Sequence, residues 1–286
     1  MPKTLLEAVE IANDPNGADF ERVCELVQHD PGVTARVLKI ANSAYYGQRG
    51  RIESAHRAVL VLGSSSVLGV IMSMSLLELK ATLDASTMPV FLNMVRHSVA
   101  SAFLAQRILK DDPVEDVVYH ATHAQLGEAY TAGVLHDFGK LVLLYNYKDD
   151  AARFYEEASM SDDELLRAER DRFGHDHVET GLYFSQQLNL PESLSDAIAG
   201  HHTYRAYEGE SDHVRRVVYA IAVSNVAANA MGYSINETND FDACRDHEVW
   251  SRMIQFGGMH YKSVEQLQQT VLDASTDLAT YVDSVV

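Results

Sequence analysis

The sequence predicts an all-α protein, with an N-terminal helical lobe over residues 1–88 and a second helical lobe over residues 89–286. Three observations support this prediction. Apolar residues recur at helical spacing along most of the chain, helix-capping signals precede several of these segments, and alternating strand patterns are nearly absent. We interpret the polar stretch 82–89 as a seam between two lobes of one unit, with two independent domains as the alternative.

Local signals in the N-terminal lobe set the first helix boundaries. Asp30-Pro31 combines an N-cap residue with proline at the first helical position, and this helix should stop near Asn42-Ser43. Tyr45-Tyr46, just beyond it, favours packed tyrosines over a recognition surface. The small and apolar residues of Val67–Met74 predict a buried helix at the centre of the lobe, with a dimer surface left open.

The second lobe carries equally clear capping signals. Ser161 with Glu164 forms a capping box, and Ser263 opens a later helix in the same way. Pro191 is expected to start a short helix that ends at Gly200. The polar stretch 232–246 is the longest insertion and predicts a connecting segment between helices.

Composition limits the classes of partner. The chain has 41 acidic and 23 basic residues, a net charge of −18 that repels nucleic acids and anionic lipids. Its N-terminus lacks a signal-peptide core, and the apolar run Val67–Leu77 is too short to span a bilayer. Cys24 and Cys244 are expected to be free thiols. We therefore expect a cytoplasmic protein that binds neither nucleic acid nor membrane.

The most informative segment is Val134–Lys140, which places an imidazole, a carboxylate and an amine close together. Imidazoles and carboxylates that converge from several helices are typical of sites for hydrolytic metal ions. Adjacent helical residues point about 100° apart, so His136 and Asp137 share an ion only where the helix ends or Asp137 reaches across. Lys140 lies on nearly the same face as Asp137, where its ammonium could meet a phosphate. The candidates to complete the cluster are His97, His177, His201 and His202, although a lone helical histidine is more often an ordinary hydrogen-bonded residue.

Several blocks taken together carry a family resemblance. They are Asp30–Gly47, Ala58–Gly63, Gly133–Lys140, His177–Gly181, Leu190–Glu192 and Ala197–His202. From about Leu5 to Ala230 the chain resembles the HDOD domain, the HD-related output domain of bacterial signalling proteins and a relative of the HD phosphohydrolases. The resemblance implies a helical fold with an HD-like lobe, and a role in signal transduction or regulation.

The resemblance also implies a site. The positions that match metal ligands of the related HD-GYP phosphodiesterases are His97, His136, Asp137, His177, His201 and His202, and Lys140 matches the lysine after their HD pair. It implies one or two divalent transition metals, such as Fe, Mn or Zn. Two features depart from the pattern: Asn225 stands at the place of the last acidic ligand, and the GYP element is missing from Thr203–Glu208.

Two functional hypotheses follow. The first is a regulatory module without robust catalysis, which binds a signalling partner, has a partly retained metal site and could form a homodimer. The alternative is a metal-dependent phosphohydrolase in which Asp137 and Lys140 have catalytic roles.

Overall fold

The computed structural model describes residues 3–14, 18–46, 50–113, 120–158, 160–204, 211–234 and 240–286. These residues form α-helices and short 3-10 turns, without an extended strand, so the all-α prediction is confirmed. Gly47 and residues 205–208, which belong to two of the sequence motifs, lie outside the described residues, as does part of the predicted connecting segment 232–246. The helices are α1 Lys3–Ala12, α2 Phe20–His29, α3 Pro31–Ala41, α4 Ala55–Leu62, α5 Ser64–Glu78, α6 Met88–Lys110, α7 His123–Leu135, α8 Phe138–Tyr147, α9 Asp149–Glu157, α10 Asp162–Phe173, α11 His177–Gln187, α12 Glu192–Thr203, α13 Asp212–Ala230, α14 Val249–Phe256, α15 Val264–Asp273 and α16 Ser275–Val285.

The predicted helix caps are present. The Asp30 carboxylate accepts a hydrogen bond from the backbone N–H of Gly32 at 2.7 Å, and α3 ends at Ala41 as expected. Ser161 forms its capping box at the start of α10, and Ser263 caps α15. These side chains satisfy backbone donors that a helix leaves free at its N-terminus.

One predicted boundary is wrong. The helix after Pro191 does not end at Gly200 but continues through His201 and His202 to Thr203. Gly200 is not among the glycines with a positive φ, so no left-handed residue terminates α12 there. The two histidines are therefore held by regular helical backbone, which fixes their directions more firmly than a loop would.

The centre of the molecule consists of α5, α6 and α7. α7 packs against both α5 and α6, and α13 covers another side of α6. A Cβ on Gly133 of α7 would lie 2.4 Å from the Cα of Ala102 in α6, so these two helices touch backbone to backbone. This close packing fixes where α6 presents His97 relative to the end of α7.

The buried apolar residues form one continuous core with members on both sides of residue 88. α16 returns from the C-terminus to pack on α3 and α6, and Arg36 donates a hydrogen bond to the carbonyl of Ser284 at 2.6 Å. Tyr45 packs against Phe103, with ring centroids 4.9 Å apart. The division into lobes at residues 88 and 89 stays a prediction.

A buried carboxylate joins the end of α6 to the C-terminal segment. Asp112 is 4% exposed and accepts hydrogen bonds from the Arg216 guanidinium at 2.8 Å and from the backbone N–H of His260 at 2.7 Å. These charge-assisted bonds hold the segment before α15 against the central helices.

One helical window within the described ranges, Ser64–Ala81, is long and apolar enough to cross a membrane by length and composition. Of this window, 56% is buried inside the fold. The core helix of a soluble protein passes the same test, so this window is weak evidence for a membrane span.

Candidate metal centre

The candidate centre begins at a break between two helices. His136 forms the C-cap of α7, and Asp137 forms the N-cap of α8 with non-helical backbone angles of φ −102° and ψ 13°. The break removes the regular 100° rotation between neighbouring side chains, so both residues face the same pocket. His136 is completely buried and Asp137 is 4% exposed.

Four imidazoles surround the Asp137 carboxylate. Its Oδ1 atom lies 3.4 Å from Nε2 of His201 and 3.5 Å from Nε2 of His177. Its Oδ2 atom lies 3.5 Å from Nε2 of His136 and 3.6 Å from Nε2 of His97. The side chains come from α6, the α7–α8 break, α11 and α12, so residues distant in sequence converge on one carboxylate.

The contacts that the Nδ1 atoms of these histidines make outside the cluster determine the tautomers of the rings. Nδ1 lies 2.7 Å from a backbone carbonyl oxygen in three of them, and a carbonyl only accepts, so Nδ1 carries the hydrogen. These pairs are His97 with Tyr233, His136 with Gly133, and His201 with Ile198. Each neutral ring therefore presents the lone pair of Nε2 to the centre, as metal-ligating histidines do.

Pairs of these nitrogens face each other at short range. Nε2 of His97 lies 3.3 Å from Nε2 of His136, and Nε2 of His202 lies 3.0 Å from Nε2 of His177. Burial lowers the pKa of His97 and lowers the pKa of His136 to about 4, so these two rings are neutral near pH 7. Lone pairs that face each other are stabilised by a positive charge.

Within the described residues, four buried atoms in and beside the cluster have no hydrogen-bond partner: Oδ1 of Asp137, Nε2 of His201, Nδ1 of His202 and Oδ1 of Asn225. A buried carboxylate oxygen and imidazole nitrogen without donors are costly unless a cation completes them. Nitrogen-rich donor sets with one carboxylate suit Zn, Fe and Mn. The described residues therefore fit a divalent transition metal.

Sequence reasoning missed two carboxylates on α10. Glu169 is fully buried, and it accepts hydrogen bonds from Nδ1 of His177 at 2.6 Å, from the His177 backbone N–H at 2.8 Å and from the Tyr155 hydroxyl at 2.8 Å. Asp162 lies seven residues earlier on the same face of α10, with its Oδ2 atom 2.9 Å from Nδ1 of His202. Glu169 orients the His177 ring through a hydrogen bond, and Asp162 lies in ion-pair contact with the His202 ring.

A sequence signal for Glu169 existed. It stands at an apolar-face position of α10, three residues after Leu166 and four before Phe173, both of which are buried. A charged residue at such a position needs a buried partner. The partner is His177, and this pairing with the ring holds the pKa of Glu169 below its usual range, although burial alone would raise it.

Lys140 contacts Asp137 at its Oδ2 atom. Its Nζ atom donates a hydrogen bond to Oδ2 of Asp137 at 2.6 Å. Burial alone would raise the pKa of Asp137, but Lys140 and the surrounding imidazoles hold it well below its usual range. Burial alone would lower the pKa of Lys140, but Asp137 raises it. The pair is thus a buried ion pair within the cluster.

A cleft of about 280 Å³ gives access to the cluster. It is bordered by His97, Asp137, Lys140, Asp162, His202 and Asn225, among others. Asn225 on α13 is 2% exposed and contributes only a neutral amide at the place where the resemblance implies an acidic ligand. The structure thus brings together every candidate ligand predicted from the sequence, with Asn225 beside them.

Known structures share this fold. An HDOD domain protein with unknown function from Geobacter sulfurreducens has a TM-score of 0.71 and 21% identity, covering 100% of this chain and 91% of that one. A "Putative signal transduction protein" from Marinobacter aquaeolei VT8 has a TM-score of 0.64 and 19% identity, covering 99% and 59%. A "Putative metal-dependent phosphohydrolase" from Shewanella amazonensis SB2B has a TM-score of 0.60 and 17% identity, covering 98% and 91%. At these identities the likeness concerns the fold.

A curated relative, an uncharacterized protein from Treponema pallidum (strain Nichols), is 22% identical over 211 residues. The match takes in 71% of this chain but only 37% of that relative, so the chain spans little more than a third of its length. The HDOD domain model matches residues 1–204, which confirms the resemblance seen in the motif blocks. Since this match covers well over half of the 286 residues, the chain belongs to the HDOD domain family.

Proposed function

We propose that this chain is a regulatory module of signal transduction whose histidine and aspartate cluster binds a divalent transition metal. The observation that carries the proposal is the convergence of proton-free Nε2 atoms on a buried carboxylate that lacks a donor on Oδ1. Membership of the HDOD family supports the regulatory role, as does the fold shared with the "Putative signal transduction protein" from Marinobacter aquaeolei VT8.

The placement of the ligands explains how metal binding would serve regulation. The candidate ligands His97, Asp137, His177 and His201 lie on or beside four different helices. A bound cation supplies positive charge that these groups share, so its occupancy would stabilise one relative placement of α6, α8, α11 and α12. The surface formed by those helices would then be presented to a protein partner in the cytoplasm.

Three features argue against robust hydrolysis. Asn225 removes one negative charge from the cleft, and Lys140 is already paired with Asp137. The cleft is bordered by the Asp162 carboxylate, which repels an anionic phosphate. The arrangement therefore favours retention of a cation over turnover of a phosphodiester.

The test combines metal content with stability. Untagged protein would be analysed for bound Mn, Fe and Zn, and its thermal unfolding would be recorded with and without a chelator. We expect bound metal and a chelator-dependent loss of stability, both of which disappear in His201→Gln. The matched control is His29→Gln, a change at an exposed histidine at the end of α2, which should keep both properties. The proposal would be refuted if the purified protein contained no metal and its thermal unfolding did not change when metal was added.

A second candidate function is phosphodiester hydrolysis, which one observation favours. The Lys140 ammonium borders the same cleft as the metal cluster, where it could neutralise a phosphate oxygen. In that case metal-loaded protein would hydrolyse a model phosphodiester, and Lys140→Met and His201→Gln would each abolish turnover. Bound metal without turnover would support the regulatory module alone.

A further inference from the structure

The two oxygens of Asp137 divide the cluster into two halves. The Oδ1 subsite consists of Asp137 Oδ1 with His177, His201 and His202. The Oδ2 subsite consists of Asp137 Oδ2 with His97 and His136. The two halves differ in their surroundings.

The Oδ1 subsite has the larger set of free donors. Its four candidate ligand atoms all lie within 4.8 Å of one another, and all four residues are buried. Three of the buried atoms without a hydrogen-bond partner, Asp137 Oδ1, His201 Nε2 and His202 Nδ1, belong to residues of this half, whereas the Asn225 Oδ1 atom lies beside the other half. Three imidazole nitrogens and one carboxylate oxygen make a complete set for a four-coordinate transition metal.

The Oδ2 subsite is smaller, and two of its three candidate ligand atoms already have a neighbouring donor. It offers three candidate ligands, and its neighbour Asn225 contributes no charge. Nζ of Lys140 lies 2.6 Å from Oδ2 of Asp137, and the Ser101 hydroxyl lies 3.4 Å from Nε2 of His97. A divalent ion on this side would have to displace the ammonium from Oδ2 or remain beside its positive charge.

We infer that the chain binds a single metal ion, in the Oδ1 subsite, and that the Lys140 ammonium serves as the built-in cation of the Oδ2 subsite. The inference rests on the proposed metal-binding function and specifies it. The charges of this arrangement balance. A divalent ion and an ammonium together supply three positive charges, and the carboxylates of Asp137, Glu169 and Asp162 supply three negative charges. A second divalent ion would add two positive charges without a compensating carboxylate at position 225.

The experiment counts metal ions per chain. Untagged protein would be loaded with Zn²⁺, dialysed, and analysed by mass spectrometry of the metal, with isothermal titration of Zn²⁺ into the metal-free chain. We expect one ion per chain in the wild type. His201→Gln should lose it, whereas His97→Gln, the matched change in the other subsite, should retain it. The double variant Lys140→Met, Asn225→Asp should bind two.

Several outcomes would overturn the inference. Two tightly bound ions in the wild type would do so, as would loss of the ion in His97→Gln with retention in His201→Gln. A double variant that still binds one ion would remove the role assigned to Lys140. Circular dichroism would establish that each variant is folded, and the double variant tests the inference even where His201→Gln does not fold. Absence of zinc from every protein would instead refute the proposed metal-binding function.

Discussion

Gly139 provides a stringent test of the contact that positions Asp137 against His177. This glycine is the second residue of α8, two residues after Asp137. A Cβ atom built on it would lie 1.8 Å from the carbonyl oxygen of His177 and 2.7 Å from its carbonyl carbon. Real Cβ contacts essentially never fall below 3.0 Å, so Gly139→Ala requires α8 and α11 to separate by more than 1 Å.

Two opposing effects decide the outcome. Alanine gains at most about 1 kcal/mol over glycine in helix propensity. Overpacking of a closed contact costs about 1–3 kcal/mol or more, and here the obstacle is backbone that cannot rotate away. We therefore expect Gly139→Ala to reduce the free energy of unfolding by about 2 kcal/mol. The same separation moves Asp137 from the His177 ring, so metal affinity should fall as well.

Urea denaturation and zinc titration would measure the two effects. The matched control is Gly32→Ala, because Gly32 is also the second residue of its helix, α3. There a Cβ would lie 3.1 Å from an oxygen of the Asp30 side chain, which can shift by a few tenths of an ångström. We expect this control to change stability by less than about 0.5 kcal/mol. Wild-type stability and zinc affinity in Gly139→Ala would refute the close approach of α8 and α11.

Three further predictions concern other contacts. Glu169→Gln should weaken metal affinity roughly 10- to 100-fold, because a neutral amide orients the His177 ring less strongly, whereas Asp171→Asn on the exposed side of α10 should leave zinc titration unchanged. Burial lowers the pKa of His136 in the folded protein to about 4. The contribution of this neutral ring to stability is therefore complete above the unfolded pKa near 6.5 and is lost as the pH falls through 4. In urea titrations with chelator between about pH 7 and 4, His136→Gln should lose less free energy of unfolding than the wild type. Asp112→Ala should cost about 2–3 kcal/mol in the same assay, since it removes a buried carboxylate that accepts hydrogen bonds from Arg216 and from the His260 backbone; a cost below about 1 kcal/mol would contradict this.

Much of the fold was predictable because its signals are local. The caps at Asp30, Ser161 and Ser263 act within three residues, and helical periodicity needs only a single segment. The end of α12 was predicted wrongly because a glycine was taken as a stop signal. Packing of α12 against α11 and α13 overrides that weak local preference and keeps the helix intact through His202.

The ligand residues were found through motif resemblance, but their arrangement required the fold. No sequence pattern states that Asp137 turns one oxygen toward His201 and the other toward Lys140. The contribution of α10 was missed because Glu169 is one acidic residue among 41, and its meaning depends on burial. Tertiary packing, and not local propensity, brings that carboxylate behind His177.

The scattering of the ligands along the chain has a consequence for assembly. More than 100 residues separate His97 from His202, and no single helix in the described part of the chain carries enough candidate ligands to retain an ion. A peptide spanning residues 134–140 would contain both halves of the HD pair yet lack the other imidazoles. Tight zinc uptake would therefore report that the helices carrying the ligands have docked against one another. After dilution from urea, its time course would follow completion of the native tertiary structure, not formation of secondary structure.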